Sequence, residues 1–380
     1  ASLVSALGIY AYGRFARRSG GEPSHALPIA PDETPLDRFV EPLLEGRKGW
    51  SGLALCSDNL QGFALRAMTA RAAGRSLDLQ YYYWKIDLTG LLLAREIMQA
   101  ADRGVRVRLL LDDINLRGKD GSYLALERHP NIEVRVFNPS LNRVGALQRG
   151  FELVFRAFSS TRRMHNKSWI ADGRMAIVGG RNIGDAYFDA SDTMNFRDLD
   201  LLAVGKAVSQ AQDTFDAYWN SACVMPLKSL SGWHDGDPAA LRARIDAKAA
   251  SEAAKPYIDQ LRESESVQRM LAGEGRFHWS EKTVVVSDPP AKSNGDERSQ
   301  WLYKSIFPMI TSAKHSLELT SPYFIPGRRG VAQLGELARR GVEVEVLTNS
   351  LAATDVAAVH GAYSRYRVPL LKAGVSLYEL

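Results

Sequence analysis

The 380-residue sequence has two cysteines, Cys56 and Cys223, and that scarcity excludes a disulfide-stapled scaffold. Neither stands at metal-ligand spacing, so both read as isolated small core residues. The sequence also lacks a run of about 20 apolar residues, the length a membrane-crossing helix needs. Residues 1–12 come nearest, broken by two serines and followed by Arg14, Arg17 and Arg18. Such a run with a positive flank reads as the tail of a membrane anchor or a signal remnant, or else as an ordinary amphipathic or buried helix. Residue 1 is Ala and not Met, so the chain is not expected to open at its natural start. Acid is in slight deficit, with 43 Asp and Glu against 48 Lys and Arg, a net charge of +5. That balance favours an anionic partner, either nucleic acid or an acidic lipid surface. Aromatic residues interleaved with basic ones, which line single-strand grooves, are not found, and this counts modestly against nucleic acid.

The length suits two domains with ample core. Residues 21–59 read as linker and lead-in, since 20–35 hold four prolines. From residue 60 helix and strand alternate: a helix over 64–74, a strand over 76–84, a helix over 91–103 stopped by Gly104, a nearly continuous strand over 105–111 ending at Asp112-Asp113, and a strand over 133–137. A strand over 198–204 and an amphipathic helix over 208–219 follow. Alternation of this kind predicts an α/β fold with a mainly parallel central sheet flanked by helices. Residues 226–300, rich in charge, Gly, Ser and Pro, read as a connector with one helix near 241–254.

The chain then repeats itself. Residues 313–319 (AKHSLEL) mirror 73–79 (AGRSLDL), 330–337 mirror 90–97, and 340–344 mirror 103–107 after a three-residue shift. Two related halves are expected, 60–225 and one opening at 301.

The chemistry is concentrated in residues 164–182, MHNKSWIADGRMAIVGGRN. His165, Lys167 and Trp169 share one face of a period-two strand. Asp172-Gly173 before the apolar run 175–178 is a tight hairpin turn requiring positive φ. The return strand ends at Gly179-Gly180, where backbone N–H groups can approach a ligand, with Arg181 and Asn182 adding donors at that mouth. A histidine, a cation and several donors together suit phosphoryl transfer, whose transition state carries negative charge on its equatorial oxygens. Trp169 reads as core.

The spacing His-x-Lys, four residues, Asp, six residues, Gly-Gly-x-Asn strongly resembles the signature of the phospholipase D superfamily. The resemblance implies His165 as nucleophile and Lys167 and Asn182 as phosphate ligands, with no metal or cofactor; it groups Asp172 with the catalytic pair, and Gly179 and Gly180 with the substrate-binding turn. The hairpin reading differs on Asp172, which it places in the turn as a local structural residue. Asp198 is a candidate to orient the His165 ring, as an acidic residue does in the superfamily, or else a solvated strand-end carboxylate. The stretches LDLQYYYW, RGVRVRLLLDD, RRMHNKSWIADG, VGGRNIGDAYF, SPYFIPG and LTNSLAATDVAAVHGAY narrow the resemblance to bacterial cardiolipin synthases, nearest the C-type, over residues 60–380. This implies a phosphatidyltransferase acting on anionic phospholipid at the bacterial membrane, peripheral or anchored by its N-terminus.

Superfamily chemistry uses two facing motifs, one histidine as nucleophile and the other as general acid and then base. One motif is present here; His360 lacks a lysine two residues on. Either a second motif is expected just past Leu380, which the half-built repeat favours, or two chains pair about a twofold axis. A phospholipase D hydrolase, a metal-independent endonuclease and a catalytically silent binding protein are the competing functions.

Overall fold

A computed structural model describes residues 21–116, 120–139, 163–230, 236–272, 276–295 and 297–380; the anchor-like residues 1–20 lie outside them. The chain divides into two compact units, residues 1–298 and 299–380.

In the first unit β1 (Ser51–Cys56), β2 (Ser76–Tyr81), β3 (Arg106–Asp112), β4 (Ile132–Phe137), β5 (Ser168–Ala171), β6 (Met175–Gly179), β7 (Asp200–Gly205), β8 (Val224–Pro226) and β9 (His278–Ser280) form one sheet. Its order is β8-β4-β3-β2-β5-β6-β7-β1-β9. The strands that alternate with helices, β2, β3 and β4, are parallel. All other neighbours pair antiparallel. The expected mainly parallel sheet is therefore mixed: parallel order holds where a helix carries the chain back, and it ends where the β5–β6 hairpin enters beside β2.

Helices α1 (Pro35–Leu44), α2 (Asn59–Ala72), α3 (Leu88–Asp102), α4 (Asp120–Glu127) and α5 (Lys206–Trp219) accompany the strands. Asp58 and Asp87 start α2 and α3 as N-caps, accepting from Gln61 and Gly90 N–H. Strand side chains alternate between two cores. Leu77, Leu79, Val107, Leu109, Val134, Trp169 and Ile177 pack with Phe63 and Ala67 of α2 and with Leu93 and Ile97 of α3. Leu110, Ile170, Ala176 and Ala203 pack on the opposite face against Ala207, Ala211 and Phe215 of α5.

Two stretches read as loose are firmly built in. Within 226–300, α6 (Pro238–Ala249), α7 (Lys255–Glu263) and α8 (Glu265–Leu271) place Leu241, Ile245, Tyr257 and Val267 in the larger core. Within 21–59, α1 and β1 form, the latter pairing with β7, and Ala26 N–H donates to Asp216 at 2.9 Å.

In the second unit β10 (Ser316–Thr320), β11 (Glu343–Thr348) and β12 (Ser376–Glu379) form a parallel sheet in that order, with α9 (Leu302–Thr311), α10 (Gly327–Arg339) and α11 (Ala357–Lys372). Its register repeats that of the first unit: Ser76 faces Arg106, and Ser316 faces Glu343, as the aligned repeats require. His360 lies on α11 with its Nδ1 3.4 Å from Asn349 O.

Candidate active site

The motif folds as a hairpin with two distinct ends. Ser168 faces Val178 and Ala171 faces Met175, and the three-residue loop between them turns through Asp172 at φ 55° and Gly173 at φ 67°, the pair of positive φ values of a type I′ turn, with Arg174 N–H donating to Ala171 O at 2.9 Å. The buried Asp172 carboxylate accepts N–H donors from Gly74 (3.0 Å), Arg75 (2.8 Å) and Ser76 (2.9 Å). Arg75 Nη1 donates in turn to Asp172 O at 3.0 Å. Lys167 lies five residues back along an extended chain, about 17 Å away. Asp172, grouped with the catalytic pair by resemblance, thus anchors the hairpin to the α2–β2 turn at the end remote from His165.

At the other end, Lys167 Nζ lies 3.0 Å from His165 Nδ1 and donates to His165 O at 2.7 Å. Lys167 is buried while His165 is exposed. The Tyr82 ring, just past β2, packs on the imidazole with centroids 4.7 Å apart and planes tilted 38°. Protein mass around the imidazole, aided by the Lys167 ammonium, pushes the His165 pKa down to about 4. The exposed ring edge still reaches solvent, so the direction is what matters: the ring is neutral at physiological pH. Burial likewise lowers Lys167 to about 8, against the opposing pull of Asp198 and Asp200.

Gly179 and Gly180 serve a different purpose from the one their backbone freedom suggested. Gly180 N–H donates to Leu199 O at 3.0 Å, and Gly179 N–H reaches Lys167 O at 3.5 Å, so both amides face the protein. What the missing side chains provide is room for carboxylates: a Cβ on Gly180 would lie 1.9 Å from Asp198 Oδ1, and one on Gly179 would lie 2.1 Å from Asp200 Oδ1. Arg181, expected at the mouth, turns fully inward instead. Its three guanidinium nitrogens donate to Asn59 Oδ1 (3.0 Å), Cys56 O (2.9 Å) and Ser57 O (2.7 Å), and Nη1 is 3.3 Å from Asp200 Oδ2. Arg66 of α2 reaches the same carboxylate oxygen at 2.9 Å. Asp200 is buried, which explains the inward turn: a buried carboxylate needs cations at hand.

Asn182 is buried, donates through Nδ2 to Tyr187 OH at 3.0 Å, and among the described residues its Oδ1 meets no hydrogen-bond donor. Asp198 accepts from Leu199 N–H at 2.8 Å. Among the described residues it makes no hydrogen bond to the His165 ring, and burial raises its pKa. The group that senses it is Lys167. Sequence reasoning missed Tyr82, whose signal was the aromatic run closing β2. Among the described residues no three His, Cys, Asp or Glu side chains gather as a metal-ligand set.

A neutral histidine and a buried ammonium just before the start of β5, on a hairpin anchored at its far end, suit a phosphodiester-handling centre of the phospholipase D type. The family described as "Cardiolipin synthase, PLD-like domain" matches residues 67–219 and 306–380. Cardiolipin synthase C of Escherichia coli (strain K12) is 42% identical over 347 residues, 91% of this chain and 72% of that protein. The cardiolipin synthase of Halalkalibacterium halodurans is 28% identical over 324 residues, 85% of this chain and 54% of that protein. Among solved structures, a phosphatidylserine synthase of Haemophilus influenzae Rd KW20 shares the fold, with a TM-score of 0.52 at 13% identity, covering 84% of this chain and 67% of that one. The chain belongs to the cardiolipin synthase family of the phospholipase D superfamily, and it is a phosphatidyltransferase of that type.

Proposed function

We propose that the protein carries a phosphatidyl group from one anionic phospholipid to the hydroxyl of another, with His165 holding it in between. One observation supports this above all: a histidine kept neutral lies against a buried ammonium, 3.0 Å from Nζ to Nδ1. The ring nitrogen attacks phosphorus, the phosphorus–oxygen bond to the departing alcohol breaks, and that oxygen takes a proton from the facing general acid, the role the superfamily resemblance gives to a second histidine. The acceptor hydroxyl then gives its proton to that same group, now a base, as its oxygen attacks, and the nitrogen–phosphorus bond breaks to restore the neutral ring.

Lys167 has two tasks here. An ammonium donating to Nδ1 holds the ring proton on Nε2, which blocks attack from Nε2. Phosphate oxygens are stronger acceptors for an ammonium than an imidazole or a carbonyl. Bound phosphodiester therefore draws Lys167 off the ring, frees the nucleophile, and gains a counter-charge where negative charge develops. Asn182, whose Nδ2 carries a second N–H beyond the one it gives to Tyr187 OH, is the second phosphate ligand. The net charge of +5 favours work at an anionic membrane surface. No helix among the described residues is long and apolar enough to cross that membrane.

The test is a rapid acid-free quench of the protein with headgroup-labelled and acyl-labelled phosphatidylglycerol. The acyl label should appear on His165 as a phosphoramidate and pass to an added alcohol. His165→Asn should abolish both adduct and product with the fold retained; turnover without an adduct at that ring would refute the assignment.

A further inference from the structure

Residues 163–167 run without helix or ladder structure, so the backbone carrying His165 is held by individual contacts. On the far side of the histidine, Gly179 N–H reaches Lys167 O. On the near side, Met164 N–H donates to Asp112 Oδ2 at 3.0 Å. Asp112 closes β3 and is fully buried. Its other oxygen accepts Ile114 N–H at 3.0 Å and lies 3.5 Å from Arg163 Nη1, which also donates to Asn138 O at 3.3 Å. The Met164 side chain is buried as well, its sulfur 3.0 Å from Gln80 Nε2. One carboxylate thus ties the end of a core strand to the residue immediately before the proposed nucleophile.

We propose that Asp112 is the positioning residue of this site: in its ionised form it clamps residue 164 and so sets the His165 ring between Tyr82 and Lys167. The inference rests on His165 being the nucleophile. An uncharged side chain of the same shape cannot replace it. In asparagine one acceptor oxygen becomes a donor, leaving two backbone N–H groups and a guanidinium to compete for the other. A nucleophile displaced by about 1 Å loses on the order of 100-fold in rate, whereas substrate binding through Lys167 is largely spared.

Ionisation gives the clamp a signature of its own. Burial lifts the Asp112 pKa to about 6, with Arg163 from the motif segment opposing the rise and Asp113 at the strand end adding to it; the Tyr82 phenol, just past β2, is a further titratable neighbour. Burial moves the His165 ring down and away from this range, and the Lys167 ammonium titrates above it, at about 8. The clamp therefore loses its charge as pH falls through about 6.

The experiment is a pH profile of phosphatidyl transfer and of His165 adduct formation in the full-length protein. Wild type should show kcat falling below about pH 6 with KM little changed. Asp112→Asn should lower kcat at pH 7.5 by roughly 10- to 100-fold, keep KM within about threefold, and erase that acid limb. Arg163→Gln removes the opposing cation and should move the limb to higher pH; this variant keeps the test alive if Asp112→Asn does not fold. Wild-type kcat in Asp112→Asn, or a limb that neither vanishes in one variant nor moves in the other, overturns the proposal. If adduct never forms on wild-type His165 at any pH, the nucleophile assignment falls; if adduct forms indifferently to Asp112, only the clamp falls.

Discussion

Asp172 offers the sharpest separation of scaffold from chemistry, because the superfamily signature includes it while the structure turns it away from the histidine. Consider Asp172→Asn. Two of the three backbone donors, Arg75 and Ser76 N–H, reach the same oxygen Oδ1, and the third, Gly74 N–H, reaches Oδ2. Asparagine keeps the first two bonds and sets its NH2 against the third donor. One charge-assisted bond is lost and one buried N–H is left unmatched, a cost of about 1.5–3 kcal/mol. The positive φ of 55° is no obstacle, since asparagine tolerates it well. Asp172→Ala would orphan all three donors and strain the turn, about 4–8 kcal/mol in total, which approaches the whole stability of an ordinary domain. Asparagine is therefore the informative variant. Urea unfolding followed by tryptophan fluorescence should show the loss as a lower midpoint, or as about 3–10 °C in Tm. At 25 °C, where the variant is still folded, kcat/KM per folded molecule should stay within twofold of wild type. A tenfold drop in kcat at unchanged stability would show that the carboxylate takes part in the reaction and that the hairpin argument is wrong.

Gly180→Ala should be nearly as damaging as loss of a catalytic group, since its Cβ would sit 1.9 Å from Asp198 Oδ1 and 2.5 Å from Asp198 Cγ; we expect at least about 100-fold lower kcat/KM from displacement of the site, checked by steady-state kinetics beside a circular-dichroism melt, and near-normal activity would refute the close packing. Raising pH through about 8 converts Lys167 from ammonium to amine, because its pKa is lowered and the charged form exists only below it; KM for phospholipid should rise and kcat/KM fall about tenfold per pH unit beyond that point, and a flat profile to pH 10 would exclude Lys167 as the titrating phosphate ligand.

The local patterns were legible because each has a local cause. Positive φ at Asp172 and Gly173 follows from turn chemistry, and β2, β3 and β4 stand out by an unbroken alternating apolar face, Leu77 and Leu79, Val107 and Leu109, Val134 and Val136, although both of their faces are buried. The repeat was legible down to register, since Ser76 facing Arg106 and Ser316 facing Glu343 is what the aligned sequences require. Burial of charge was not legible. Arg181 beside two glycines reads as a surface donor, and only the position of Asp200 across β6 and β7 reveals why it folds inward. Arg108 has the same origin: alternation puts it under α5, where Asp78 at 2.6 Å and Asp216 at 2.7 Å meet it. The stretch 226–300 looked like a connector because its helices bury few residues each, Leu241 and Ile245 on one and Tyr257 on the next, too sparse a stripe for periodicity to register.

The spacing within the motif has a mechanical origin. Asp172 is bonded to three amides of the α2–β2 turn, so one end of β6 is fixed relative to β2. Gly179 and Gly180 must lie against Asp200 and Asp198, so the other end is fixed relative to β7. Between these anchors the strand admits one length. A single inserted residue would exchange the two faces of β6, setting Ile177 toward α5 and a side-chain-bearing residue against Asp198. Lys167, whose carbonyl meets Gly179 N–H, would lose its register with the same step. The six residues between Asp172 and Gly179 are thus a ruler, and what they measure is the distance from a buried anchor to the proposed phosphate site.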